Sequence, residues 1–223
     1  FRLPIGFSMI VVSTAGITAV RGWEVALSTL KTEPFDFATR WSFSAIPMFI
    51  LMGAVVHNTG VASSIFRAAR VWFGGVPGGL AVSANFACAG FSAASGSSLA
   101  TAAAMGRIAI PEMRAAGYDM RLATGVVASA GTLGVMIPPS ITFIIYGIFA
   151  EVSISKLFLA GVIPGLITAV VYAFMIVAVC WFKPNLAPRL PRSATLRERM
   201  QALRDVWPLL VLVVGILGGI YGG

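Results

Sequence analysis

The sequence has 223 residues, of which 58% are hydrophobic and only 11% are charged, and its formal net charge is +8. Soluble domains carry about 25% charged residues, so this composition excludes a water-soluble globule and predicts an all-α polytopic membrane protein. Because the basic residues form no stretch interleaved with aromatic residues, the charge does not indicate a nucleic-acid partner.

The first part of the chain predicts membrane helices followed by a helix at the membrane surface. Residues 4–20 and 41–57 are apolar, and a polar segment whose charges balance separates them. We therefore interpret segment 1–60 as scaffold transmembrane helices. Segment 61–74 places its large apolar residues on one face with arginines beside them, which is typical of an amphipathic helix in the membrane interface.

Segment 75–112 predicts a re-entrant helical hairpin. Its two arms, 80–94 and 97–110, are each shorter than the roughly 20 residues that a membrane crossing needs, and we expect Pro111 to end the second arm. Small, hydroxyl-bearing residues join the arms at 92–101. A bilayer cannot satisfy unpaired backbone groups, so this tip must be buried in protein or line a watery cavity.

A second interruption follows in segment 119–151. We predict one broken transmembrane helix there, made of two half-helices around an unwound stretch at 131–140. Pro138 and Pro139 would keep the break open because they lack backbone donors. Two interrupted segments in one membrane domain are typical of the ion and solute sites of secondary transporters.

The remaining chain predicts a long transmembrane helix at 155–182, a basic linker at 183–205 and a further apolar helix at 206–223. Phe1 stands where a starting Met is expected, and the last apolar run stops at Gly223. We therefore expect the sequence to be a piece of a longer protein.

Charge predicts the orientation. If the hairpin and the linker 183–205 face the cytoplasm, the acidic residues divide evenly and most of the basic residues lie inside, as the positive-inside rule requires. The basic residues on the predicted cytoplasmic side are Arg2, Arg67, Arg70, Arg107, Arg114, Arg121, Lys183, Arg189, Arg192, Arg197, Arg199 and Arg204. Those on the opposite side are Arg21, Lys31, Arg40 and Lys156.

The two breaks predict a site for a cation and a carboxylate. A broken helix offers carbonyls at one end, which suit the hard cation Na⁺, and amides at the other, which suit anions. We expect the Na⁺ ligands, mainly backbone carbonyls, at Ser92, Ser95, Gly96, Gly131, Thr132 and Gly134. We expect the solute contacts at Ser97, Ser98, Thr101, Pro139 and Ser140.

Other interpretations of these residues are less well supported by the sequence. Any one serine of the group could instead pack between helices or bond to its own helix. An enzyme is not expected, because His57 is the only histidine and no nucleophile–base pair can be assembled. Residues 94–96 faintly resemble the serine motif of rhomboid proteases, but Ala93 replaces the required glycine and no histidine follows. We expect no organic cofactor.

The ordered motifs of the chain resemble the large membrane subunit of the tripartite ATP-independent periplasmic (TRAP) transporters. No single motif decides this; the ordered set is specific. The residues that carry the resemblance are 45–53, 75–81, 95–101, 110–113, 117–119, 128–134, 137–140, 146–147 and 157–165.

The resemblance implies a Na⁺-driven secondary importer of the bacterial or archaeal cytoplasmic membrane. An extracytoplasmic solute-binding protein would deliver an organic acid such as a C4-dicarboxylate or sialic acid, and a small four-helix membrane subunit would brace the large one. It also implies an elevator-type fold with two inverted repeats. This chain would be the N-terminal half, with the second repeat beginning at 206–223.

Two alternatives stay open at this point. One is an elevator-type Na⁺/dicarboxylate symporter that works without a binding protein. The other is a membrane fragment that transports nothing.

Overall fold

The computed structural model describes residues 4–39, 41–188 and 195–222. Within these ranges the chain is helical apart from short connections and contains no β-strand, so the all-α prediction is confirmed for them. Arg2, Arg40, Arg189 and Arg192, which entered the predicted orientation, lie outside the described residues, as do Phe1 and Gly223.

Twelve α-helices account for most of the described residues. In chain order they are α1 Ile5–Arg21, α2 Trp23–Thr39, α3 Ala45–Asn58, α4 Val61–Phe73, α5 Gly79–Ser95, α6 Ser98–Ala115, α7 Met120–Gly131, α8 Leu133–Met136, α9 Ile141–Phe149, α10 Ile154–Phe182, α11 Leu196–Arg204 and α12 Trp207–Gly222. Short 3₁₀ turns occupy Trp41–Ser44 and Pro184–Leu186.

The chain divides into two compact units, residues 1–44 and 45–223. In the first unit α1 packs against α2. Helix α2 occupies the segment that the sequence marked only as polar. Its threonine hydroxyls find partners within the helix, because Thr29 and Thr32 each donate to a carbonyl one turn earlier, at 2.8 and 3.0 Å.

The second unit is built around α5. Thirteen of its seventeen residues are buried, and it contacts α3, α4, α6, α7, α8, α10 and α12. Most of the buried side chains of α5 are small, such as Ala84, Ala87 and Cys88. Small side chains let helix backbones approach closely, which is how helices associate where no hydrophobic effect drives them together.

Helices α5 and α6 form a hairpin. Their inner ends meet at Gly96 and Ser97, and at the outer end the Leu80 amide donates to the Tyr118 hydroxyl at 3.3 Å. Burial raises the pKa of Tyr118, so this hydroxyl stays protonated. The prediction that Pro111 ends the second arm is wrong, because α6 continues to Ala115. Arg107, whose carbonyl Pro111 leaves without its helical donor, lies on the exposed side of α6.

The broken helix is less broken than expected. The unwound stretch was predicted at 131–140, but α7 ends at Gly131 and, after a single turn residue at Thr132, α8 continues to Met136, so the longer non-helical stretch is 137–140. The first helix therefore ends where predicted, but the prediction that 133–136 are unwound is wrong. Gly131 is the last residue of α7, whereas Gly134 lies inside the short helix α8. The stretch Met120–Met136 bends by 45° into α9, and the Pro138–Pro139 peptide bond is cis.

Length and apolarity identify membrane-crossing candidates among the described residues. Helix α10 alone is long and apolar enough to cross unaided, and counting three bent pairs as single spans gives up to four crossings. The pairs are α3 with α4, the stretch from α7 to α8 with α9, and α11 with α12. Large apolar side chains of α10 such as Phe174 are well exposed, which fits a lipid-facing surface.

The basic segment 183–205, predicted only as a linker, contains helix α11. A capping box starts it: the Thr195 side chain accepts from the Glu198 amide, and the Glu198 carboxylate accepts from the Thr195 amide. Threonine followed three residues later by glutamate is a helix-start signal that is readable in the sequence.

Candidate functional site

The two interrupted segments meet in space. We call their meeting place the junction, and define it as residues 92–101 of the hairpin turn together with residues 131–141 of α7 to α9. Each half is shaped by its local sequence, and a few backbone contacts join the halves.

The hairpin turn is set by one glycine and one serine. Gly96 has a φ of 62°, a left-handed conformation that favours glycine, and its amide donates to the Ser92 carbonyl at 2.9 Å. Ser97 then caps α6, with its side chain accepting from the Ala100 amide. The Ser-Gly-Ser sequence therefore ends one helix and starts the next within two residues.

Backbone contacts hold the turn against the break. The Gly96 carbonyl accepts from the Ile141 amide at 3.0 Å, so the carbonyl end of α5 meets the amide end of α9. A Cβ on Gly96 would lie 2.8 Å from the Pro139 carbonyl oxygen. A Cβ on Gly134 would lie 2.7 Å from the Ser97 carbonyl carbon. Neither position has room for a side chain.

Three hydroxyl groups brace the arms of the hairpin. Ser95 and Thr101 are linked at 2.9 Å between their hydroxyl oxygens, and Ser92 and Thr101 at 3.4 Å. The Ser92 hydroxyl also donates to the Cys88 carbonyl at 2.6 Å. All three hydroxyl-bearing residues are buried. This cluster satisfies polar groups that a bilayer could not.

The structure brings most of the sequence-predicted site residues together. Those that lie at the contact between turn and break are Ser95, Gly96, Ser97, Ser98, Gly134, Pro139 and Ser140, with Ser92 and Thr101 directly behind them. Ser97 and Ser98 are partly exposed, whereas Ser140 is buried and its hydroxyl donates to the Val135 carbonyl at 2.7 Å.

Gly131 and Thr132 are placed differently. Gly131 packs α7 against α6, because a Cβ there would lie 2.8 Å from the Cβ of Ala102. Thr132 is exposed, and its hydroxyl donates to the Ser129 carbonyl at 2.6 Å.

Sequence reasoning missed three residues that matter to this arrangement. Ile141 supplies the amide that joins the halves. Gly53 of α3 packs against Ser95, and a Cβ on Gly53 would lie 3.4 Å from the Ser95 carbonyl oxygen. Asn85 is buried in α5 and donates to the Ala169 carbonyl of α10 at 2.8 Å, while its Oδ1 has no partner among the described residues. The sequence could have indicated Asn85, because it is a single side-chain amide in an otherwise mostly apolar helix.

The junction is chemically suited to small ions. Two carbonyl-bearing and two amide-bearing helix ends lie close together in protein surroundings, so opposite partial charges are available within one site. The polar atoms are hydroxyl and carbonyl oxygens with backbone amides. In the part of the chain that the structure describes, no group of three or more His, Cys, Asp or Glu side chains gathers as a metal site.

Comparisons with known proteins agree on one family. The family model for the tripartite ATP-independent periplasmic transporter, DctM component, matches residues 1–223. The chain is 42% identical over 199 residues to the C4-dicarboxylate TRAP transporter large permease protein DctM of Pseudomonas aeruginosa, covering 89% of this chain and 46% of that protein.

More distant relatives carry other substrates in their names. The isethionate TRAP transporter permease protein DctMQ of Oleidesulfovibrio alaskensis is 38% identical over 210 residues, covering 89% of this chain and 33% of the relative. The sialic acid TRAP transporter large permease protein SiaM of Vibrio cholerae is 32% identical over 221 residues, covering 99% of this chain and 51% of the relative. The chain spans about half the length of the curated relatives it matches.

Proposed function

The chain belongs to the DctM component family of the tripartite ATP-independent periplasmic transporters, as the N-terminal half of the large permease subunit, and from this premise we propose that it serves a Na⁺-coupled importer of organic acids. Its relatives are transporter permeases, not enzymes. The single observation that carries the proposal is the junction, where the hairpin turn fits into the break between α8 and α9 through the Gly96–Ile141 backbone bond.

The proposed coupling ion is Na⁺. Oxygen ligands would come mainly from carbonyls of Ser92, Ser95, Gly96 and Gly134, and those of Gly131 and Thr132, which are placed differently, would join them after rearrangement. Support comes from the carbonyl end of α5, which carries negative partial charge, and from the scarcity of ionisable side chains near the turn, which disfavours proton coupling. The Ser92, Ser95 and Thr101 hydroxyls would fix the ligand geometry through their bonds to one another.

The proposed solute is a carboxylate, with C4-dicarboxylates as the first class to test because of the DctM relatives. Ser97 and Ser98 begin α6, where free amides and positive partial charge favour an anion. Both are partly exposed, unlike Thr101 and Ser140. We therefore assign direct solute contact first to Ser97 and Ser98, with Pro139, Thr101 and Ser140, which are buried, as contacts after rearrangement.

The proposed membrane arrangement follows from the hairpin. The Tyr118–Leu80 bond joins its outer ends, so both would open to one face of the membrane, as a re-entrant hairpin does. On the positive-inside argument that face is the cytoplasmic one. We further propose an elevator-type movement, a location in the cytoplasmic membrane of a bacterium or archaeon, and two partners: a solute-binding protein outside and a small membrane subunit.

Transport by the full-length permease tests this function. We would reconstitute it with its small subunit and binding protein in proteoliposomes and measure uptake of radiolabelled succinate. An inward Na⁺ gradient should drive accumulation that a K⁺ gradient at the same membrane potential does not. Equal uptake under both gradients would contradict Na⁺ coupling. Undiminished uptake without the binding protein would favour the symporter alternative, and no uptake of any organic acid would contradict the transport proposal.

A further inference from the structure

A basic cleft lies between α4 and α11, in a part of the chain that the transport proposal does not use. Its volume is about 870 Å³, and a smaller cavity of about 330 Å³ shares Ser64, Arg67, Gln201 and Asp205 with it and is also lined by Glu198. Both spaces are open at the protein surface rather than enclosed.

Three arginines give the cleft its charge. Arg197 and Arg204 lie two turns apart on one face of α11, and Arg67 of α4 lines the same space. Asp205 is the one acidic residue among the eight that line the cleft, so the lining has a net charge of two positive. The acidic residue Glu112 forms its ion pair with Arg70, at 2.9 Å, and neither residue lines the cleft. Even when Glu198 of the adjoining cavity is counted, three guanidinium groups exceed two carboxylates.

Helix α11 is fixed to α4 beside the cleft. The Arg199 guanidinium lies over the Trp72 ring, 5.8 Å from its centroid, which is a cation–π contact. The capping box at Thr195 and Glu198 fixes where α11 starts. The Arg67 guanidinium donates to the Ser64 hydroxyl at 3.2 Å. These contacts hold like charges near one another, and an anion between them would offset the repulsion.

We propose that this cleft binds the phosphate of an anionic phospholipid headgroup. Guanidinium groups bind phosphate oxygens through paired hydrogen bonds. The single carboxylate of Asp205 cannot provide such bonds to all three arginines. Membrane proteins commonly hold anionic lipid headgroups in basic pockets between helices at the cytoplasmic surface.

The surroundings favour a lipid over free phosphate. Trp207 lines the cleft and is the first residue of the apolar helix α12, and tryptophan is enriched where helices meet the membrane surface. Met200 lines it as well and is 62% exposed, which offers an apolar surface to a glycerol backbone or acyl chain. The proposal requires that the chain is embedded in a membrane, but it does not depend on Na⁺ coupling.

Lipid retention tests the proposal. We would place the full-length permease with its small subunit in nanodiscs of phosphatidylcholine with a minor share of phosphatidylglycerol, and measure the lipids that stay bound by native mass spectrometry. The triple variant Arg67→Gln, Arg197→Gln and Arg204→Gln should lower the preference for phosphatidylglycerol about tenfold. The matched control, Arg107→Gln, Arg114→Gln and Arg121→Gln, removes the same charge from α6 and α7 and should leave the preference unchanged.

Two results would overturn the proposal. One is an equal loss of preference in both triple variants, which would mean that only overall charge attracts the lipid. The other is displacement of phosphatidylglycerol by millimolar inorganic phosphate, which would mean a site for a soluble anion. If the triple variant does not assemble, the single variant Arg197→Gln is compared with Arg121→Gln in the same assay. A smaller loss is then expected for Arg197→Gln, and equal preference in the two single variants would also overturn the proposal.

Discussion

The junction and helix α12 are both rich in glycine, but the two sets of glycines differ in how closely other atoms pack against them. At Gly96 and Gly134 of the junction, an added Cβ would come within 2.8 Å of backbone atoms. At Gly215, Gly218 and Gly219 of α12, apart from the neighbouring residues and backbone of α12 itself, no described atom lies within 4 Å of that position. Hydropathy and composition do not distinguish these regions, whereas the contacts do.

The difference shows what the junction depends on. The opposite partial charges of its helix ends can interact at short range only because the helix backbones are in contact. Only glycine permits that close approach. In α12 the glycines leave open surface, so a side chain there meets no described atom. Substitutions that add volume should therefore have a much larger effect on function in the junction than in α12. Substitutions that remove a single polar contact should have smaller effects.

The largest effect is expected for Gly134→Val. The side chain would push the Ser97 backbone away from α8, and overpacking of this kind costs about 1–3 kcal/mol when it can be relieved at all. We expect loss of uptake in the reconstituted full-length transporter, with normal membrane insertion. Gly219→Val in α12 is the matched control and should transport normally. Similar activity of the two variants would remove the functional distinction between the regions.

A smaller effect is expected for Thr101→Val, which keeps the shape of the side chain and removes its hydroxyl. Ser95 and Ser92 would lose a partner inside the hairpin, and a buried polar group left without its partner costs about 1–3 kcal/mol. Unfolding in mixed detergent micelles measures this loss. Thr124→Val is the control, because the Thr124 hydroxyl is exposed and bonds within its own helix. Equal stability of the two variants would show that the hydroxyl cluster does not brace the hairpin.

The smallest effect is expected for Asn85→Leu. The substitution removes the bond to the Ala169 carbonyl but also removes an Oδ1 that has no partner among the described residues. Hydrogen bonds between membrane helices contribute about 0.6 kcal/mol on average, so the stability in the same unfolding assay should change by less than for Thr101→Val. A larger loss would mean that Oδ1 has a partner in the membrane-embedded protein.

Several features of the fold were predictable because they depend on local chemistry. The Ser-Gly-Ser turn, the helices on either side of it and the two prolines of the break all follow from conformational preferences of single residues. The family followed from ordered motifs. Helix α11 was predictable too, since the signal of Thr195 and Glu198 is present in the sequence, although the basic composition of that segment indicated only a linker.

Other features depend on contacts between distant parts of the chain. Glycine is compatible both with an unwound segment and with close helix packing, so Gly131 and Gly134 could not show by themselves that α8 continues to Met136. The Gly96–Ile141 bond joins residues far apart in sequence and involves only backbone atoms. No side-chain pattern encodes such a bond, and this is why Ile141 was missed.

The most direct test of the central claim is the Na⁺ dependence of uptake in a junction variant. We would measure the Na⁺ concentration for half-maximal uptake in Gly96→Ala and in Gly219→Ala, with the binding protein saturated by solute. An alanine at Gly96 is strained at a φ of 62° and displaces the turn from the break. We predict that Gly96→Ala needs about tenfold more Na⁺, which corresponds to about 1.4 kcal/mol of lost binding free energy, while Gly219→Ala is unchanged. An unaltered Na⁺ requirement in Gly96→Ala would contradict a Na⁺ site at the junction.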